Sequence, residues 1–216
     1  MKHGFFITGT GTGVGKTFVT SLLAEQARAA GLRVFAFKPI ETGCRVVDGT
    51  LVGEDQELLA WAAGDWQRGE LRNLYGFVRP LAPLAAARAE HRSIDLDRIE
   101  VVFARGALDA DLVLVEGAGG WRVPITESAD TSTLARRLGL PMIVVGTAGL
   151  GTINHTLLTV EAIERDGGRV VLVVLSNRPD DDLGLATENL VEVQRHVGCP
   201  VVLASTLELA NVMRPV

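Results

Sequence analysis

Phe5-Phe6-Ile7-Thr8-Gly9-Thr10-Gly11-Thr12-Gly13-Val14-Gly15-Lys16-Thr17 passes from an apolar segment, through alternating glycines, into Gly-Lys-Thr. Residues 5–8 predict a buried strand. Residues 16–30, with Leu22, Leu23 and Ala27 on one face and Gly31 as a stop, predict a helix. Strand, glycine-rich turn and helix in that order form the setting that a phosphate-binding loop requires. Glycines let backbone N–H groups turn inward around phosphate oxygens. The start of the helix adds a positive dipole end. Lys16 then reaches toward the β- and γ-phosphates of a nucleoside triphosphate, and the Thr17 hydroxyl becomes a ligand for Mg²⁺. The common motif has its first glycine five positions before the last. Thr10 stands there, and Gly9 precedes it, so the loop is slightly longer than usual.

Outward from this loop, short runs of Val, Ile and Leu alternate with longer helical patterns. Strands are predicted over 33–38, 111–116, 141–146, 170–176 and 201–204. Helices are predicted over 54–63, 131–138, 152–165 and 183–196. Continuous apolar strands separated by helices imply a parallel sheet covered on both faces. The expected fold is a doubly wound, mostly parallel α/β sheet in a single domain over 1–216. The least regular region is 64–91, where Pro80 and Pro83 bracket a loop. Ligands of such sheets sit at the carboxyl ends of the strands, so the residues that follow each strand are the candidates.

Glu116 ends the strand predicted over 111–116 and precedes Gly117-Ala118-Gly119-Gly120. A carboxylate there suits a Mg²⁺ site beside the phosphate loop, and the glycines allow a second backbone approach to an anion. Lys38 ends the second strand and is locked by Pro39. It is placed to stabilise charge on a phosphoryl group, or it is a solvated strand-end lysine. Asp55 opens the helix predicted over 54–63, where a carboxylate favours the helix dipole. With Thr17 and Glu116 it also completes a hard oxygen set for Mg²⁺, provided the fold brings the three together.

Composition narrows the classes. The chain has 216 residues, 47% of them apolar, with a net charge of −5. That excludes a disordered chain and gives no basic footprint for nucleic acid. Cys44 and Cys199 form no metal or redox motif, which fits reduced thiols in the cytoplasm. The N-terminal apolar run reads as a strand feeding the loop rather than as a signal peptide. No stretch approaches the roughly 20 apolar residues of a membrane span. A soluble, cytoplasmic protein with no membrane partner is expected.

Five blocks taken together resemble dethiobiotin synthetase. They are Thr8-Gly9-Thr10-Gly11-Thr12-Gly13-Val14-Gly15-Lys16-Thr17, Lys38-Pro39-Ile40-Glu41-Thr42-Gly43, Glu54-Asp55, Val115-Glu116-Gly117-Ala118-Gly119-Gly120-Trp121 and Gly149-Leu150-Gly151-Thr152-Ile153-Asn154-His155. The resemblance covers residues 1–180. It implies a P-loop cyclo-ligase that makes dethiobiotin from 7,8-diaminopelargonic acid, CO2 and ATP with Mg²⁺. Carried onto this chain, it makes Lys16 and Lys38 catalytic, and Thr17, Asp55 and Glu116 the metal ligands. Gly13, Val14, Gly15, Lys16, Thr17, Phe18, Asp55, Glu116, Gly119 and Asn177 would bind nucleotide, Asn177 reading the base after the strand over 170–176. Thr12, Lys38, Thr42, Gly117 and Ala118 would bind substrate. Gly151, Thr152 and Asn154 would take the substrate's carboxylate tail from the partner subunit of a homodimer. Gly11 and Gly13 stand where some family members carry acids, and the chain beyond Ala204 is short.

Two other classes share the loop. An amide-forming ligase of the cobyrinic acid amidase type normally carries a glutaminase domain with a Cys nucleophile; neither Cys44 nor Cys199 lies in such a motif. A partitioning-type ATPase switch usually has an extra lysine early in the loop, where this chain has Gly11.

Overall fold

The structure is a computed structural model, and it describes residues 3–177 and 181–213. The ends of the domain expected over 1–216 lie outside the described residues. β1 (His3–Gly9) leads through the glycine loop to α1 (Lys16–Ala29) and β2 (Val34–Phe37). Next come β3 (Ile40–Thr42), the hairpin β4 (Arg45–Val47) and β5 (Thr50–Val52), α2 (Glu54–Ala62) and β6 (Tyr75–Phe77). α3 (Pro83–Ala89) and α4 (Leu96–Leu108) precede β7 (Leu112–Gly120) and α5 (Thr131–Leu138). The chain finishes with β8 (Met142–Thr147), α6 (Thr152–Arg165), β9 (Val170–Ser176), α7 (Leu183–His196) and β10 (Val201–Leu203).

Six strands pair in parallel in the order β10-β9-β8-β1-β7-β2. Successive side chains on a strand point to opposite faces, and here both faces are apolar. Phe6, Val113, Val115 and Val144 pack with Ile99 of α4, Leu134 of α5, Ile163 of α6 and Val193 of α7. Phe5, Ile7, Leu112 and Leu114 pack on the other face with Val19 and Leu23 of α1 and Leu59 of α2. Burying one such side chain contributes roughly 1.5–3 kcal/mol, which is why these residues hold the two layers in register. Gly106 lets α4 sit directly on the Phe35 ring; a Cβ there would lie 2.3 Å from it.

Every element predicted from the sequence is present, with ends displaced by no more than two residues in all but one case. The exception is β7, which does not stop at Glu116. It pairs Ile7 with Glu116 and then Gly9 with Gly120, with a shift of register between them. The glycines after Glu116 form a continuation of the strand rather than a free turn. Gly119, at φ 68, absorbs the irregularity, as a bulge in a strand requires of a glycine. The structure also adds α3, α4 and the short strands β3 to β6.

With all six strands parallel, their carboxyl ends share one edge. β1 lies between β7 and β8, so the glycine loop emerges where the chain winds away to both sides, the place where such sheets hold ligands.

Candidate active site

The loop geometry follows from its glycines. Gly15 caps α1 with φ 97, a left-handed conformation, and a Cβ there would lie 2.4 Å from Ser176 Oγ. Gly13 is also left-handed, at φ 72. Only glycine adopts such angles without strain, and together they turn the loop around the start of α1. No side chain caps α1, so its first N–H groups remain available to an anion.

α1 sets Lys16, Thr17 and Thr20 along the helix surface facing β7. Lys16 is buried, and its Nζ donates to the Gly11 carbonyl at 2.9 Å. Thr17 Oγ1 donates to Glu116 Oε1 at 2.9 Å, and Thr20 Oγ1 donates to Glu116 Oε2 at 3.3 Å. Glu116 is fully buried. Lys38, at the end of β2, donates to Glu116 Oε1 at 2.8 Å and also to Asp55 Oδ2, from the first turn of α2. Thr17, Lys38, Asp55 and Glu116 therefore meet at one point although they come from four elements.

The two lysines differ electrostatically. Burial pushes Lys16 from its ordinary 10.5 down to about 8, despite the raising influence of Glu116. Burial also opposes the charge on Lys38, but Glu116 and Asp55 in direct contact outweigh it and hold Lys38 well above the ordinary value. Lys38 is a fixed cation, whereas Lys16 is a cation short of partners that a polyanion would satisfy. For Lys16 the folded chain binds fewer protons than the unfolded chain between pH 8 and 10.5, so its contribution to stability rises with pH across that window. Nucleotide affinity runs the other way, because binding uses the ammonium form. Affinity for an ATP analogue is expected to be level up to pH 8 and to fall toward about tenfold per pH unit above it. Equilibrium titrations across the alkaline range check this, and a flat profile would contradict it.

A cavity of about 540 Å³ opens over this cluster. The loop contributes Thr12, Gly13, Gly15, Lys16, Thr17 and Phe18 to its wall. Lys38, Glu41, Thr42, Asp55, Glu116, Ala118, Gly119 and residues 80–83 also line it. A second cavity of about 420 Å³ adjoins it, lined by Gly13, Val14, Gly15, Phe18, Thr147, Gly149, Ser176, Asn177 and Asp181. Asn177 Oδ1 accepts from Ser205 N at 3.3 Å, which fixes the amide at that wall.

Not every sequence candidate joins them. Gly117 does not line the larger cavity: a Cβ there would lie 3.0 Å from the Phe6 ring, under the strand. Gly151, Thr152 and Asn154 begin α6 and line neither cavity; Gly151 is its left-handed cap at φ 90 and Thr152 is buried. Sequence reasoning missed Thr20, whose hydroxyl lies three residues beyond Thr17 on the same helix face. It also missed Glu41 and Gln56. Glu41 lies within the Lys38-Pro-Ile-Glu-Thr-Gly block, but nothing local shows that it faces α2.

A glycine loop at the switch point of a parallel sheet, a buried lysine over it and a carboxylate pair beside it define a P-loop nucleotide-dependent enzyme. A family model described as an AAA domain matches residues 3–214. The ATP-dependent dethiobiotin synthetase BioD of Anaeromyxobacter dehalogenans (strain 2CP-C) is 46% identical over 197 residues, 89% of this chain and 85% of that protein. That of Marinobacter nauticus (strain ATCC 700491 / DSM 11845 / VT8) is 39% identical over 92% of this chain and 86% of its own length. The chain belongs to the ATP-dependent dethiobiotin synthetase family, ligases of biotin biosynthesis. Among solved structures it shares its fold with the MinC:MinD cell division complex of Aquifex aeolicus, at 12% identity and TM-score 0.56 over 93% of this chain and 80% of that one. A septum site-determining MinD with Mg-ADP from Pyrococcus horikoshii OT3 matches at 17% identity and TM-score 0.56 over 94% and 81%.

Proposed function

We propose that this chain closes the ureido ring of dethiobiotin from 7,8-diaminopelargonic acid, CO2 and ATP in the cavity above Lys16 and Lys38. The observation that carries this placement is the meeting of Lys38, Asp55, Glu116 and Thr17 beside the phosphate loop, in a cavity of about 540 Å³ that Thr12, Thr42, Ala118 and Gly119 also line.

One amine takes up CO2 and loses a proton to become a carbamate. A carbamate oxygen attacks the γ-phosphorus, giving the carbamic–phosphoric anhydride and ADP. The second amine attacks the carbonyl carbon, the ring closes, and phosphate and a proton leave. Phosphoryl transfer of this kind is governed by positioning and by neutralising charge. The loop N–H groups and Lys16 hold the triphosphate. Lys38 lines the same cavity as the loop and Thr42, where it balances charge on the carbamate and the transferred group. Thr12, Thr42 and the backbone at Ala118 and Gly119 orient the amine. Both amines belong to one bound molecule, so holding it still gives the ring closure a large effective molarity. No side chain needs to act as a nucleophile.

Thr17, Asp55 and Glu116 offer hard oxygen donors within reach of one centre, so their chemistry fits Mg²⁺. When bound, Mg²⁺ supplies charge neutralisation at the phosphate oxygens. The adjoining cavity takes the base, against Phe18 and Asn177. A homodimer fits the exposure of Asn154 and of Leu150, 93% exposed, beside it at the start of α6. Orphan N–H groups there, together with the Asn154 side-chain amide, would receive the carboxylate tail of substrate in the partner's cavity. Buried free thiols at Cys44 and Cys199 suit a cytoplasmic enzyme, and no described helix is long and apolar enough to cross a membrane. A single domain spanning the chain accounts for all of this.

Bicarbonate labelled with heavy oxygen tests the chemistry: one labelled oxygen should appear in the phosphate released with each ring, and unlabelled phosphate would contradict the carbamate route. The tail site has its own test. Asn154→Ala should raise the KM for the diamine about tenfold, the value of a lost hydrogen bond to a charged group, and leave the KM for ATP near its original value. The opposite pattern would place the tail elsewhere.

A further inference from the structure

The N-terminus of α2 carries Asp55 into the active site, yet α2 has no cap of its own. Its cap position is Gly53, which has no side chain to offer. Helix starts leave N–H groups that need acceptors, and a buried start without them costs stability. Here the acceptor comes from another element. Glu41 of β3 is buried, with 6% exposure. Its Oε1 accepts from Asp55 N at 2.9 Å and its Oε2 accepts from Gln56 N at 2.8 Å. The fit is close: a Cβ on residue 53 would lie 2.3 Å from Glu41 Oε2. Gln56 adds a second tie. Its Nε2 donates to the Lys38 carbonyl at 2.9 Å. The first turn of α2 is thus fastened to β3 by one side chain and to the Lys38 main chain by another. Between these ties the Asp55 carboxylate meets the Lys38 ammonium.

We propose that Glu41 is a positioning residue for phosphoryl transfer: its carboxylate fixes the first turn of α2 and so sets Asp55 against Lys38 and Glu116 in the geometry that a divalent cation needs. The proposal rests on the reading of Asp55 as a metal ligand. Glu41 lines the cavity, but its two carboxylate oxygens are taken by the Asp55 and Gln56 N–H groups, so it acts through the backbone of Asp55. A glutamine at 41 keeps one acceptor but turns an amide donor toward the other N–H, so the turn loses one bond and gains a mismatch.

The experiment uses the full chain with a non-hydrolysable ATP analogue, and Mn²⁺ in place of Mg²⁺, with free and bound Mn²⁺ distinguished by electron paramagnetic resonance. Glu41→Gln should melt cooperatively and bind Mn²⁺ about tenfold more weakly, as changes in the groups that orient metal ligands do. Its kcat should fall by about the same factor, and by more than the KM for the diamine rises. The double variant Glu41→Gln/Asp55→Asn should bind Mn²⁺ no more weakly than Asp55→Asn alone, because both act through one carboxylate. A merely structural role would lower the melt without this coupling. Mn²⁺ binding by Glu41→Gln within twofold of the parent, or losses that multiply in the double variant, overturns the proposal. If Glu41→Gln does not melt cooperatively, Glu41→Asp is read in the same titration: weakened Mn²⁺ binding supports the proposal and parent-like binding overturns it. Parent-like Mn²⁺ binding by Asp55→Asn would instead remove the reading beneath it, and that failure is distinct because it does not involve Glu41.

Discussion

Lys16→Ala is expected to lower ATP turnover by at least about a hundred- to thousandfold while leaving the protein folded, the loss typical of removing a group aimed at developing charge. The two halves of this result have one cause. Lys16 is buried, its side chain's one hydrogen bond among the described residues goes to the Gly11 carbonyl, and burial has pushed its pKa down to about 8. The folded protein therefore gains little from the ammonium, and its removal costs little stability. The triphosphate gains much from it, because the ammonium is already stripped of water and aligned with the loop. Phosphate release in the presence of diamine and bicarbonate, beside a thermal melt, measures both halves. Turnover at the parent level would mean that the loop does not hold the phosphates as described.

Lys38→Met should behave differently. Lys38 bridges Asp55 and a fully buried Glu116. Taking away one partner of a buried pair strands the other, at a cost of about 3–5 kcal/mol. For a chain of this size that corresponds to a fall in Tm of about 10 °C. Activity should fall as far as in Lys16→Ala, because the cation proposed to balance charge on the transferred group is gone. The comparison is informative in itself: two lysines some twenty positions apart, both needed for turnover, of which only one should be needed for stability. A Lys38→Met protein that melts like the parent would show that Glu116 has other compensation, and the account of the cluster would need revision.

Much of this was legible in the sequence because it is local. The loop from Gly9 to Thr17 needs only the glycine spacing and the apolar runs on either side of it. Glu116 could be found because the apolar residues 112–115 end on it. The extension of β7 to Gly120 could not, since it depends on Gly9 lying beside it in space. α4 left a readable trace: Asp95 accepts from Asp97 N and Arg98 N as a cap should, and Leu96, Ile99 and Val102 recur at helical spacing. α3 gave less, being mostly alanine after Pro83. The pairing of β3 with β6 joins Ile40 to Tyr75, far apart in sequence, and three-residue strands carry no periodicity to betray it. This pairing, with the adjoining start of α2, is why Glu41 escaped notice. Its function depends on where α2 begins in space, whereas Lys38, three residues earlier, is marked by the end of a strand and a proline.

The convergence of Asp55 with Glu116 likewise depended on the fold, and Lys38 is what joins them. In the proposed function, that cluster beside the loop is what turns triphosphate binding into transfer of a phosphoryl group to a small bound acid. The most direct measurement is to incubate the pure protein with 7,8-diaminopelargonic acid, bicarbonate, Mg²⁺ and ATP, and to follow the ring product together with phosphate. Dethiobiotin, ADP and phosphate are expected in equal amounts, with phosphate release dependent on the diamine. No ring product and no diamine-stimulated phosphate would contradict the proposed function.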